Sequence, residues 1–87
     1  MAELIRELST LVRTLENQRF FARVYGAGRS DGTWEGWLEF FPTHGGPLLR
    51  TEREITQPNR EAVAYWADGL EPVYVEGAFE RAQPIDS

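Results

Sequence analysis

AELIRELSTLVRTLEN, residues 2–17, is the stretch on which the architecture turns. Leu4, Leu8, Leu11 and Leu15 recur at spacings of four, three and four, and Ile5 and Val12 widen the stripe. Apolar residues at that period mark one face of a helix. Glu3, Arg6, Glu7, Arg13 and Glu16 fill the other side, and neither Gly nor Pro interrupts. The pattern predicts an amphipathic helix over 2–17. Two heptads fall short of the roughly three or four that a self-sufficient coiled coil needs. Leu4, Leu8, Leu11 and Leu15 are therefore candidate interface residues, buried against the rest of the chain, against a second copy, or against both.

Moving outward, RFFARVY (19–25) alternates and carries Phe, Val and Tyr, the signature of a strand. GAGRSDGT (26–33) is a turn region whose Asp31-Gly32 suits a hairpin loop with positive φ. WEGWLEFF (34–41) reads as a second strand ended by Pro42, THGGP (43–47) as a loop, and LLRTEREIT (48–56) as a charged strand suited to an edge. Residues 58–68 read as a second helix. Pro58 fits its first position, and Ala62, Val63, Trp66 and Ala67 form its stripe. Gly69 suits a left-handed C-cap, across which Leu70 touches Val63. VYVEGAFER (73–81) reads as a fourth strand and 82–87 as a loose tail. The expectation is one α+β domain over 1–87, two-layered. It comprises the N-terminal helix 2–17 and a βββαβ body over 19–81, giving a four-stranded, mostly antiparallel sheet in the order α-β-β-β-α-β.

Splitting the strands by parity separates two faces. Phe20, Ala22, Val24, Trp34, Gly36, Leu38, Phe40, Leu49, Thr51, Ile55, Val73, Val75, Gly77 and Phe79 make an apolar set, broken only by Arg53. The reverse set mixes Phe21, Tyr25, Trp37, Phe41 and Tyr74 with Arg23, Arg50 and six glutamates. Rings and arginines among carboxylates are the composition of a partner-binding surface. The alternative is cross-strand pairing on a solvated face. Phe21, Arg23, Tyr25, Trp37, Phe41 and Tyr74 are the candidate partner-binding residues.

Composition excludes several chemistries. The 87 residues contain no Cys and one His, which removes disulfides, thiolate nucleophiles and thiolate metal sites. No apolar run approaches the roughly 18 residues of a bilayer span. The acid-containing N-terminus is unlike a secretory signal, so a soluble, cytoplasmic chain without a membrane partner is expected. Net charge is −5, every base is Arg, and only 19–33 is basic, at +2. Nucleic acid is therefore not the expected partner, because phosphate neutralisation calls for concentrated positive charge.

Four groups invite a chemical reading. Gly26–Gly32 carries glycines like a dinucleotide-binding loop, but a strand follows where a helix is required. His44 lies alone in its loop. Glu52 with Glu54, and Glu76 with Glu80, are paired acids on a face dotted with arginine and read as solvated ion pairs. Trp37, Phe21 and Tyr25 beside Arg23 could stack single-stranded bases, but the surrounding acids oppose it. No catalytic residue, metal ligand or cofactor is expected.

Two resemblances add to this reading. Gly32–Phe40 (GTWEGWLEF), Pro58–Ala62 (PNREA), Tyr65–Ala67 (YWA) and Gly69–Val73 (GLEPV) resemble a family of short bacterial hypothetical proteins over most of the chain after residue 19. That resemblance implies a soluble bacterial protein and carries over no site residue. The order of three strands, a helix and a fourth strand is similar to the half ribonuclease-H-like unit of HicB-type antitoxins. There Glu61 would match a metal-binding glutamate and Glu76 would stand near the acid of the fourth strand. Val24-Tyr25-Gly26 lacks the first metal-binding aspartate of ribonuclease H. The expected function is a non-catalytic protein-interaction module forming a homodimer. An antitoxin-like regulator that binds a toxin, and a magnesium-dependent hydrolase using Glu61 and Glu76, follow as alternatives.

Overall fold

The computed structural model describes residues 1–85. Its elements are β1 (Glu3–Arg13), β2 (Arg19–Gly28), β3 (Trp34–Pro42), β4 (Leu49–Arg50), β5 (Ile55–Gln57), α1 (Arg60–Asp68), α2 (Pro72–Arg81) and β6 (Gln83–Pro84). The strands form a six-stranded antiparallel sheet in the order β1-β2-β3-β4-β6, with β5 also paired to β3. The expected four-stranded α-β-β-β-α-β arrangement is thereby corrected: the first helix is a strand, the fourth strand is a helix, and the strand-rich half precedes both helices. Residues 82–85, expected as loose tail, include β6; Asp86 and Ser87 of that tail lie outside the described residues.

β1 is a strand because β2 offers it a hydrogen-bonding edge, yet it is an irregular one. Its partners run Leu4↔Tyr25, Arg6↔Val24, Glu7↔Arg23 and Leu11↔Phe21, with register shifts between Leu4 and Arg6 and between Glu7 and Leu11. Extra residues in one strand of a pair are β-bulges: the single one between Leu4 and Arg6 flips which face the following side chains take, and the two between Glu7 and Leu11 lengthen the strand without a further flip. The result is that Ile5, Leu8 and Val12 turn toward the core, at spacings of three and four. A bulged strand has reproduced a helical period. The connection to β2 closes with Thr14 N–H to Gln18 O (2.8 Å) and Asn17 at φ 66°.

β2 and β3 pair without a shift from Phe20↔Pro42 to Gly28↔Trp34. Their turn places Gly32 at φ 89°, the positive value read from Asp31-Gly32. The Asp31 carboxylate accepts from the Thr33 hydroxyl (2.6 Å) and amide (3.0 Å). These bonds, the hydroxyl first, hold its pKa below the ordinary carboxylate value. β4 and β5 are one strand interrupted by two extra residues, since Glu39↔Arg50 is followed by Gly36↔Ile55. Thr51 N–H bonds Leu38 O and Glu54 N–H bonds Gly36 O, leaving Glu52 and Arg53 outside the ladder and exposed. That insertion explains why Arg53 alone breaks the apolar parity.

α1 starts at Asn59, whose side chain accepts from Ala62 N–H (2.8 Å), a standard N-cap. Pro58 therefore precedes the cap and does not open the helix. Gly69 ends it at φ −95°, without the left-handed turn expected. α2 replaces the predicted strand over 73–81. Pro72 sits in its first turn, and Val75, Ala78 and Phe79 turn inward while Val73 is 73% exposed.

Both helices lie on the face that carries Phe20, Ala22, Val24, Leu38 and Phe40. Val63, Ala64, Ala67, Val75 and Ala78 complete the core there. Phe79 inserts between Phe20 and Phe40, with centroids at 4.8 and 5.2 Å, the second pair edge-on. The paired Gly26 and Gly36 open a window in the sheet. A Cβ on Gly36 would stand 3.1 Å from both Ile55 Cγ2 and Val63 Cγ1, so its absence lets α1 descend onto β3. Ion pairs tie α1 to β1 at both ends, Arg60 with Glu3 and Arg6 with Asp68. The molecule is a slab of 42 × 30 × 17 Å, two layers deep.

Candidate functional site: the open face of the sheet

The reverse face of the sheet carries no helix. Its side chains are ordered in rows by the register, because directly paired residues project to the same side. One row is Leu4, Tyr25 and Trp37; the next is Glu7, Arg23, Glu39, Arg50 and Gln83; the third is Leu11, Phe21 and Phe41. An ionic row of alternating sign thus runs between two apolar rows. Phe21, Leu4 and Leu11 are the large apolar residues exposed on it. The Arg23 guanidinium lies 4.3 Å above the Phe41 ring, and its Nε stands 3.8 Å from Glu7 Oε1. Stacking of this kind is favourable and leaves the guanidinium edge free.

Five of the six candidate partner-binding residues (Phe21, Arg23, Tyr25, Trp37 and Phe41) come together here. Tyr74 does not. It belongs to α2 on the opposite side, where it meets Trp66 edge-on at 6.0 Å and donates from Oη to Glu54 Oε1 (2.5 Å). Sequence reasoning misplaces Tyr74 because Val73-Tyr74-Val75 has strand-like composition. Pro72 and the stripe Tyr74, Val75, Ala78, Phe79, which repeats the i, i+1, i+4, i+5 spacing of Ala62, Val63, Trp66, Ala67, are the signals that mark the helix.

Trp37 also departs from expectation. It is only 8% exposed, covered within its own chain. Its Nε1–H donates to Glu39 Oε2 (2.9 Å), and Glu39 is 7% exposed with Arg50 Nη1 3.9 Å away. An open cleft of about 520 Å³ flanks the ring, bounded by Arg50–Arg53 and by Gln83–Ile85. The β4–β5 insertion and β6, neither of them visible in a parity count, bring the chain over Trp37.

The leucine stripe does not form a helix interface. Leu8 packs toward the core, Leu4 and Leu11 join the open face, and Leu15 projects fully from the β1–β2 turn. Bulges distribute across both faces what a helix would have gathered on one.

Comparison with family models, with characterised proteins and with solved structures gives no match for this chain. Glu61 and Glu76 are exposed on separate helices. Among the described residues no group of three or more His, Cys, Asp or Glu side chains is placed to hold a metal ion. Among the described residues no helix is long and apolar enough to cross a membrane.

The titrating cluster with resolved shifts lies away from the open face. Partial burial pushes the Glu54 pKa up, but hydrogen bonds from Arg81 Nη2 (2.6 Å) and Tyr74 outweigh it and leave the carboxyl below its ordinary value. Burial first, then the Glu54 carboxylate, push the Tyr74 phenol up to about 12. Arg81, 5.6 Å from the Tyr74 ring, closes the group. A phenol held protonated and a carboxylate held ionised form a strut between α2 and the β4–β5 connection.

Proposed function

We propose that this chain is a non-catalytic protein-interaction module that works as a homodimer through the open face of its sheet. The observation that carries the reading is Phe21. It is 55% exposed between Leu11 and Phe41, on the part of the open face away from the chain that covers Trp37. Contiguous apolar groups left bare beside ionic ones mark association surfaces. Nine residues of β3 at about 3.3 Å and five strands at about 4.8 Å bound a face of at most roughly 700 Å². Each partner in a standard interface contributes about 800 Å². The long edge of β1 is the competing surface, but its two bulges spoil it for continuous strand addition.

Light scattering across a concentration series tests the reading. The expected result is a mass of twice 10.0 kDa for the chain and of one copy for Phe21→Asp, whose circular dichroism spectrum and cooperative melt show the fold retained. A chain that stays monomeric throughout, or a Phe21→Asp variant that dimerises as well as the parent, overturns it.

A further inference from the structure

The ionic row carries an inference about how two copies meet, and it rests on the homodimer reading above. Across the sheet the row reads Glu7, Arg23, Glu39, Arg50, alternating in sign from β1 to β4. Two sheets can pack face to face about a two-fold axis in the plane between them, and that axis has two simple directions. If it runs along the rows, each residue meets its own copy, so Glu7 faces Glu7 and Arg50 faces Arg50. If it runs along the strands, the row is reversed on the partner, and every acid meets a base.

From this we infer that the dimer axis lies parallel to the strands, between β2 and β3, and that Glu7 and Arg50 specify self-recognition. In this arrangement Glu7 faces Arg50 of the partner subunit, and Arg50 faces Glu7 of the partner subunit. The apolar rows superpose on their own kind, Phe21 against the partner's Phe41. Strands then cross at the small angle, within about 30°, of aligned sheet packing.

The ends of the row matter more than its middle. Glu39 is buried, accepting one bond from Trp37 Nε1–H with Arg50 close by. The side chains of Glu7 and Arg50 are 67% and 46% exposed and reach outward. Within one chain Glu7 and Arg50 stand three strands apart, about 14 Å at the usual spacing. Each also neighbours an opposite charge of its own chain, Arg23 and Glu39, so recovery on mixing, which leaves those neighbours unrestored, is what reports the contact between copies. Complementary charges of this kind choose the partner and its orientation.

The test is a pair of charge reversals, Glu7→Arg and Arg50→Glu, with sedimentation equilibrium on each variant and on an equimolar mixture. Circular dichroism melts of each variant establish that both are folded. Alone, each variant sets two like-charged pairs across the interface and self-associates about tenfold more weakly. Mixed, the two form a heterodimer in which the two substituted side chains meet each other as base and acid. At the other end of its row the native Glu7 of one copy meets the native Arg50 of the other, and parental affinity returns. Failure of the mixture to exceed either variant overturns the axis. If Phe21→Asp still abolishes the dimer in that case, the open-face reading stands and only its geometry is lost. Reversals that each self-associate as well as the parent, with a mixture tighter than the parent, would mean the axis runs along the rows, because like charge then faces like before and after either substitution.

Discussion

Phe20 and Phe21 are adjacent, identical in type and carried by the same strand, yet the first is 4% exposed and the second 55%. The difference separates the two faces of one sheet. On the inner face the side chains of β2 and β3 close against Val63, Val75, Ala78 and Phe79 from two helices, so every contact there is made within the chain. On the open face, apart from the covered Trp37 and Glu39, the same strands order their side chains only sideways, into rows. Pairing along a row steadies a sheet by a few tenths of a kcal/mol per pair, whereas burial under a second layer is worth about 1.5–3 kcal/mol per large side chain. Stability therefore resides mainly on one face, and the other keeps Leu4, Leu11 and Phe21 bare to solvent.

The sharpest way to break that contrast is to truncate the neighbouring rings. Phe20→Ala is expected to lose about 3–5 kcal/mol, enough to unfold much of a domain this small. Phe21→Ala should cost less than about 1 kcal/mol in the monomer. Urea denaturation of both variants measures it, and equal losses would erase the distinction between the faces.

Next in size is the glycine window on the inner face. Gly36→Ala places a methyl 3.1 Å from both Ile55 and Val63, inside a packed layer. Overpacking of about 1–2 kcal/mol is expected, read as a lower thermal midpoint, despite the entropic gain that Gly→Ala brings elsewhere. A neutral or stabilising result would mean that α1 is free to move away from the sheet.

The strut beside the inner layer should make stability depend on pH at both extremes. Glu54 is held below its ordinary value in the folded chain, so its contribution is present above the unfolded pKa, near 4.5, and fades as pH falls through the folded one. The Tyr74 phenol is raised to about 12, so its contribution is complete below the unfolded value of 10 and is lost between there and about 12. Tyr74→Phe should cost about 1 kcal/mol near neutrality and flatten the alkaline limb of a stability–pH profile. An unaltered limb would dissociate Tyr74 from it.

Smallest of all is the exposed tie between β1 and α1. Asp68→Asn removes the 2.9 Å pair with Arg6 and should change stability by less than about 0.5 kcal/mol, and still less in high salt. A larger loss in a denaturant titration would show that this pair holds α1 to the sheet edge more firmly than an exposed ion pair does.

Elements whose regularity is internal were legible. β2 and β3 alternate because they pair without a shift, and the turn between them announced itself through Asp31-Gly32. α1 could be read from its stripe, although its cap proved to be Asn59. From the candidate site, Phe21, Arg23, Tyr25, Trp37 and Phe41 were assignable because an unbroken ladder keeps parity. Tyr74 was not, since valine and tyrosine suit a strand in isolation, and Trp37 was expected bare because nothing local to it foretells the chain that covers it.

β1 and α2 mark the boundary. In β1 the spacing of Ile5, Leu8 and Val12 is a true record of burial, but period alone cannot distinguish a helix from a strand with extra residues at fixed places. In α2 strand-forming side chains wind into a helix because Val75, Ala78 and Phe79 find Phe20 and Phe40 beneath them. The amino-acid sequence by itself determined which side chains seek burial, where the chain turns sharply, and how charge alternates along its strands. Only the tertiary structure decided which backbone form brings the buried set together, because a bulge exists only relative to a partner strand and a helix this short is stabilised by the layer on which it rests.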